Sequence, residues 1–438
     1  MTANLKFLWA RLNANYWFYP ALFAILAAVL AIAMIALDRG GFAEVLSDYD
    51  LIVPVRPKGA ADILTVMAGA TIGVASTVFS ITLVAVTYAS STYGPRLLTN
   101  FMEDRGNQIS LATFIASFVY AIVVLRSVRA EDESASTAAD ATATALPGFA
   151  PQLSLLVAYA MMALCVAVLV FFLNHVPSSI RINSVLERIG KRLIAKVCET
   201  YPVEDEFREA IEPKGGEALT ANATGYVQLI DFGELEEIAR EKGCTFSIKV
   251  RTGDFVHRDL MLIEIDGCAP DEVEDCVREC FTLGPNRTPE QDPQFLIDEL
   301  VEIGLRALSP GINDPFTAIT VLHWLGAATS EIGRRDLVKD ICNDDSDTCP
   351  VIPCPDGFAH YAQRGFGSIR SAVAASPNAA LVMLDVLEKA CLPISHRPRV
   401  DILRDHARML IEQTRLALTG PDLLMVEERY REFETATA

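Results

Sequence analysis

The chain has 438 residues, of which 51% are hydrophobic and 21% charged, with a formal net charge of −19. That composition is too apolar for an ordinary soluble protein of this length, and the acidic balance excludes nucleic acid as a partner, because phosphate binding needs clustered Lys and Arg. The ten cysteines fall, except Cys165, in a part read as cytoplasmic, where thiols stay reduced, so no disulfide framework is expected.

The apolar excess is concentrated at the N-terminal end. Windows at 17–37, 64–89, 109–125 and 153–173 reach membrane-spanning length with few or no charges, which predicts four transmembrane helices within a domain at 1–175. The first window follows only Lys6 and Arg11 and leads to no small-residue cleavage site, so it is read as a retained span and not a signal peptide. Aromatic residues Tyr16, Trp17, Phe18 and Tyr19 mark its entry into the bilayer. Counting Lys and Arg in the short loops places both termini in the cytoplasm of a bacterial inner membrane: Lys6, Arg11, Arg96, Arg105, Arg181, Arg188, Lys191 and Arg192 lie on one side. The first loop, with Arg39, Arg56 and Lys58, counts the other way.

The second span differs in kind from the first. Thr65, Gly69, Gly73, Ser76, Ser80 and Thr87 put small or hydroxyl residues on one stripe of a helix. Two readings stay open for it: close helix packing through Gly69 and Gly73, or a water-facing, pore-lining surface in an oligomer. No ionisable residue falls between Ile63 and Ser90, which counts against a proton-coupled or charged-substrate path at mid-membrane. After Gly94-Pro95 breaks the helix, Leu97, Leu98, Phe101 and Met102 form the apolar side of a short amphipathic helix. It is read as a connecting elbow or as a coupling element.

The run from Phe79-Ser80-Ile81-Thr82-Leu83 through Pro95-Arg96-Leu97-Leu98-Thr99-Asn100-Phe101, with Asp104-Arg105 and Phe114 to Tyr120, resembles the signature of a bacterial predicted-membrane-protein family known only as a domain of unknown function. The same pattern returns in Arg287-Thr288, Asp292-Pro293, Arg306-Ala307-Leu308-Ser309-Pro310 and Asn313-Asp314-Pro315. The resemblance covers most of the chain and implies membership, but no activity or site residue.

Beyond the spans, residues 176–219 read as a stalk and linker. Ile182, Val185, Leu186, Ile189 and Leu193 form one apolar helix face there, and Gly215-Gly216 marks the linker. A small α+β domain is expected at 220–283, with strands at 225–230, 244–250, 255–256 and 260–265 and helices at 234–241 and 271–283. Its turn Thr252-Gly253-Asp254 before Phe255 resembles the turn of small β-barrels, both biotinyl- or lipoyl-type domains and the β-domain of small-conductance mechanosensitive channels. No lysine sits in a carrier hairpin, which removes the carrier function. A helical domain follows at 284–438, ending in a bundle. Within it, Asp292-Pro293 and Asp314-Pro315 each offer an N-cap followed by Pro at the first helical position, so Ser309 to Asn313 form a tight corner between two helices.

Asp298, Glu302 and Arg306 follow at four-residue steps on the first of those helices. A solvated salt-bridged face and an inter-subunit or cation-binding network are both open; Arg287, Asp292, Asn313 and Asp314 join the second if the corner folds back. A bound cation is the only cofactor this face implies. Asn313 and Asp314 also have a purely local explanation, a left-handed turn residue and a helix cap. Asp344, Asp345 and Asp347 carry oxygen ligands suited to a metal, but lack the turn glycine and distal Glu of a calcium loop. Cys342, Cys349, Cys354 and His360 do not match zinc spacings. No catalytic motif is found, and the triplet His257-Arg258-Asp259 sits in a β turn without the residues that would make it one.

The sequence thus predicts a polytopic α-helical membrane protein with four transmembrane helices, a cytoplasmic α+β domain and a C-terminal helical bundle, assembled as a homo-oligomer in the lipid bilayer. Its leading functional expectation is a channel- or transport-like assembly with a cytoplasmic regulatory domain. The alternative is a membrane-anchored sensor or scaffold whose cytoplasmic domain binds a ligand, cation or protein.

Overall fold

The computed structural model describes residues 15–40, 55–94, 104–129, 148–203, 207–208, 215–339, 341–342 and 349–438. The short amphipathic helix expected at 97–102, most of the acidic third loop, and Asp344, Asp345 and Asp347 lie outside the described residues. The chain divides into two compact units, Met1–Arg181 and Ile182–Ala438.

Among the described residues the first unit has four helices: α1 (Phe18–Arg39), α2 (Pro57–Tyr93), α3 (Arg105–Leu125) and α4 (Gln152–Ser179). All four are long and apolar enough to cross a membrane. With 37 residues, α2 outruns the window read from hydropathy. At 1.5 Å per residue it is roughly 55 Å long, against a hydrocarbon core of roughly 30 Å.

The inner member of this unit is α3, whose apolar window is 61% buried against 17%, 28% and 22% for α1, α2 and α4. Small residues allow the close approach: Ala27 and Ala31 of α1 and Ala116 and Ala121 of α3 belong to one buried cluster. The helix nevertheless carries polar side chains inward. Ser110, Thr113 and Ser117 donate their hydroxyls to the carbonyls of Gly106 (2.7 Å), Ile109 (2.8 Å) and Thr113 (2.9 Å), so none is stranded.

The N-terminus of α4 is capped from another helix. Asp38, at the end of α1, accepts from Leu153 N (2.9 Å), Ser154 N (3.0 Å) and Ser154 Oγ (2.7 Å), while Tyr120 Oη donates to Ser154 O (2.9 Å). A carboxylate there satisfies first-turn donors that nothing else inside an apolar unit would meet. Asp38→Ala is therefore expected to destabilise the chain by about 2 kcal/mol, and Asp38→Asn by less, because the amide keeps one acceptor oxygen. Thermal unfolding of the detergent-solubilised protein reads this, and an Asp38→Ala midpoint equal to wild type would contradict it.

The second unit begins with α5 (Ile182–Thr200), whose face Val185, Leu186, Ile189, Leu193 and Val197 is buried. It packs on α8 (Pro293–Ala307) and α9 (Pro315–Gly333). Gly190 is required at that crossing, since a Cβ would run into the ring of Trp324. Before those helices come β1 (Glu217–Thr220), β2 (Gly225–Ile230), α6 (Phe232–Lys242), β3 (Thr245–Ile248), β4 (Phe255–Val256), β5 (Met261–Asp266), α7 (Glu274–Glu279) and β6 (Phe281–Gly284). With a seventh strand, β7 (Val351–Ile352), they form two sheets among the described residues, ordered β1-β5-β3-β7 and β4-β2-β6, around a core that includes Val227, Phe246, Ile263 and Val277.

Three local readings change. Glu217–Thr220, which begins inside the stretch read as linker and runs to the first residue of the expected α+β domain, pairs antiparallel with β5. The helix expected over 271–283 stops at Glu279, and Phe281–Gly284 pairs with β2 because its β-branched and aromatic residues find a partner edge. The fourth strand of the larger sheet, β7 (Val351–Ile352), arrives from beyond α9 and lies parallel to β3. The remaining helices are α10 (Phe358–Ala362), a π-helical turn Gln363–Gly367, α11 (Ser368–Ala374), α12 (Pro377–Cys391), α13 (Arg397–Ala417) and α14 (Gly420–Ala436). The expectation that every thiol is reduced is corrected at one place: Cys342 and Cys349 form a disulfide, their Cα atoms 5.8 Å apart. That separation suits a bridge, which a seven-residue spacing alone does not reveal.

Candidate functional site

The turn after β3 is the first part of the site. Arg251 N donates to Asp254 Oδ2 (2.8 Å), Thr252 Oγ1 donates to Gln291 O (2.8 Å), and Gly253 takes φ = 92°. A Cβ at 253 would overlap the Asp292 carboxylate and crowd Arg287, so both the backbone angle and the close approach require glycine.

Asp292 supplies the second part. It is 1% exposed and caps α8, its Oδ1 accepting from Phe295 N (3.1 Å). Its Oδ2 accepts from Arg287 Nε (2.9 Å) and Nη2, and Arg287 Nη1 reaches across to Asp298 Oδ2. Arg364 then grips Asp298 with two parallel bonds, Nε to Oδ1 and Nη2 to Oδ2, both 2.7 Å. Such a fork fixes orientation as well as charge. Arg364 lies in the π-helical turn, which re-aims its side chain relative to a regular α-helix.

From Arg364 the cluster continues through neutral groups. Gln294 Oε1 accepts from Arg364 Nη1 (2.9 Å) and lies 3.0 Å from His360 Nε2, so that ring nitrogen carries the proton. Gln294 Nε2 donates to Asp356 Oδ1 (3.1 Å). Asp356 also meets Arg251 Nε at 3.0 Å and Lys339 Nζ at 2.6 Å, and its Oδ2 accepts from Tyr201 Oη (3.0 Å). With its hydrogen given to Asp356, Tyr201 accepts from Tyr361 Oη (2.9 Å).

The charges balance: Arg251, Arg287, Arg364 and Lys339 face Asp254, Asp292, Asp298 and Asp356. Burial alone raises a carboxyl, but for Asp356 the sum of Lys339 and Arg251 outweighs it, as Arg364 and Arg287 do for Asp298, and both titrate below the ordinary value. Asp292 goes the other way, because its burial is larger than the pull of Arg287. His360 is lowered by burial and then by Arg251 and Arg364, and is neutral at pH 7. Tyr361 is raised by burial and by Tyr201 and Asp356, and stays a donor.

This geometry sorts the residues singled out from sequence. Arg287, Asp292 and Asp298 meet in one cluster. Among the described residues, Glu302 and Arg306 pair with each other one turn apart, partly exposed, at 3.6 Å. Asp314 caps α9, accepting from Thr317 N (3.2 Å) and Thr317 Oγ1 (2.6 Å), and Asn313 holds φ = 49° in the corner. A cation at this face would have to displace a guanidinium, since the clustered carboxylates already hold Arg or Lys. Among the described residues, no three His, Cys, Asp or Glu are grouped so as to hold a metal ion. The stripe Thr65, Gly69, Gly73, Ser76, Ser80 and Thr87 is exposed within the first unit, while Leu64, Met67, Ala68, Ala75 and Val78 form the buried face of α2.

Arg251, Lys339, Asp356 and Arg364 were missed from sequence. The one local sign was Arg364 itself, an isolated charge between glycine-flanked apolar residues in Ala-Gln-Arg-Gly-Phe-Gly.

Two uncharacterized mycobacterial proteins, one from Mycobacterium bovis and one from Mycobacterium tuberculosis, are each 30% identical to the chain over 360 residues, covering 78% of it. The match spans 66% of the length of either relative, just under two thirds. No solved structure matches the chain. A family model described as "Predicted membrane protein (DUF2254)" matches residues 13–389, and the chain belongs to that family of membrane proteins.

Proposed function

We propose that the chain forms a homo-oligomeric, channel-type assembly in the bacterial inner membrane, with α2 lining the path and the second unit acting as a cytoplasmic regulatory domain. The observation that carries this reading is the outward face of α2. Gly69 and Gly73 have nothing within 4 Å of where a Cβ would sit, so their chain leaves that surface open to the backbone of a second copy. The hydroxyls beside them give their hydrogens to their own helix: Thr65 to Ala61 O (2.7 Å), Ser80 to Ser76 O (2.8 Å) and Thr87 to Leu83 O (2.8 Å). What remains facing outward is oxygen lone pairs, which favour cations or water over anions.

The test is ion flux from potassium-loaded liposomes containing the full chain. Wild type is expected to conduct above protein-free liposomes, Ser80→Leu to lose that flux, and the Gly69→Leu, Gly73→Leu double variant to fall apart into smaller assemblies on native mass spectrometry. No wild-type flux, or flux unchanged by Ser80→Leu, would sink the conduit reading.

A second reading, a membrane-anchored sensor, is favoured by one observation: the second unit contains a cavity of about 380 Å³ whose wall includes Asp356, a member of the ionic cluster. That is the size range of small-molecule sites.

A further inference from the structure

The cavity pairs apolar walls with a set of charges. Ile341, Val351, Ile352, Pro353 and Phe358 supply the apolar surface. Among the described lining residues, Arg208, Lys339 and Arg399 supply positive charge, and Asp336 and Asp356 negative charge. Arg208 pairs with Asp336, and Lys339 with Asp356.

Arg399 differs from the other two cations. It is 9% exposed and forms no ion pair among the described residues, although the Asp336 carboxylate in the same wall acts on it from beyond bonding distance. Its Nη1 donates to the carbonyls of Ile332 (3.4 Å), Gly333 (3.0 Å) and Arg335 (2.7 Å), which closes the C-terminal end of α9. The guanidinium lies 4.3 Å from the Phe207 ring centroid and 5.6 Å from that of Phe358. Nε and Nη2 have no protein acceptor among the described residues, although the group lines the cavity. Burial pulls this guanidinium below the usual arginine value against the opposing pull of Asp336, and an anion bonded to it would relieve the remainder.

We infer that this cavity binds a small amphipathic organic monoanion, its carboxylate on Arg399 and its apolar body against Ile352 and Phe358. A guanidinium with two nitrogens free of any bonded acceptor among the described residues suits a carboxylate, and the walls suit a hydrocarbon or ring. The inference rests on the sensor reading and adds the ligand class and the residue that selects it. Asp356 gives such binding a route into the ionic cluster, because the Lys339 that holds it stands in the same cavity wall.

Sodium hexanoate, hexanamide and hexylammonium chloride, matched in length and differing in charge, are the probes. Each is titrated against the full detergent-solubilised chain while its thermal midpoint is followed by intrinsic fluorescence. Hexanoate is expected to raise the midpoint and the other two to leave it unchanged. Arg399→Gln is expected to weaken hexanoate by about tenfold to a hundredfold, the loss of a charge-assisted hydrogen bond. Because Arg399 also holds the end of α9, Val338→Trp serves as a second variant that fills the cavity from a partly exposed position, and it should abolish the hexanoate shift. If hexanamide or hexylammonium stabilises wild type and Val338→Trp removes that effect, the anion assignment is overturned and the sensor reading stands. If none of the three probes shifts wild type, or Val338→Trp leaves the hexanoate shift intact, both are overturned.

Discussion

Arg287→Met is expected to destabilise the chain by about 3–5 kcal/mol, the range for stripping one partner from a buried ion pair. The substitution leaves Asp292, 1% exposed, with no guanidinium bonded to it, while Asp298 keeps its fork to Arg364. The loss should shrink in the double variant Arg287→Met, Asp292→Leu, where no buried charge is left behind. It should also shrink as pH falls, because an unpaired buried Asp292 is relieved by protonation. Arg364→Met is expected to cost less than Arg287→Met, since Asp298 then still faces Arg287. Denaturant unfolding of all three variants reads these differences. A loss below about 1 kcal/mol for Arg287→Met, the scale of an exposed pair, would mean that water reaches the cluster.

A second large effect is set by His406 on α13, 3% exposed, with no hydrogen-bond partner for its Nδ1 among the described residues. Burial first, and then Arg370, push its imidazole down to about 4, with Asp405 opposing. The sign follows from linkage: below the unfolded imidazole value near 6.5 the unfolded chain takes up a proton that the folded chain refuses. Stability is therefore fully present above about pH 6.5 and declines as pH falls to about 4, where the folded chain protonates too; the total is about 3 kcal/mol. His360, also lowered, adds to the slope in the same direction. The carboxylates Asp298 and Asp356 lose their contribution only at more acid pH, below the ordinary Asp value. Replacing His406 by Met should flatten the curve between pH 6.5 and 4. An unchanged slope would assign the acid sensitivity elsewhere.

The membrane-crossing helices were legible because hydropathy and length are local properties, and so were the caps at Asp292 and Asp314, which depend on residues three positions apart. The cluster was half legible. Arg287, Asp292 and Asp298 lie within twelve residues of one another, whereas Arg251 and Arg364 come from a strand turn and a π-helical turn that periodicity does not reveal. Alternation could not find β7 either, since two residues carry no period and its pairing with β3 spans more than a hundred positions. For α2, the small-residue stripe was visible, but only the structure puts it on the side away from α3. A burial gradient across four apolar helices is a property of packing, and α3, with the most polar residues of the four turned inward, looked no more central in the sequence than its neighbours.

The short strand β7 has a consequence for how the second unit comes apart. Phe246 N donates to Pro350 O (2.8 Å), and the same stretch of chain leads through Asp356 to Arg364. The edge of the sheet is thus closed by chain that also seats the ionic cluster. Cleavage between Pro350 and Asp356 would uncover the β3 edge and unseat Asp356 in one event, so sheet and cluster should lose amide-exchange protection together, as a single cooperative unit.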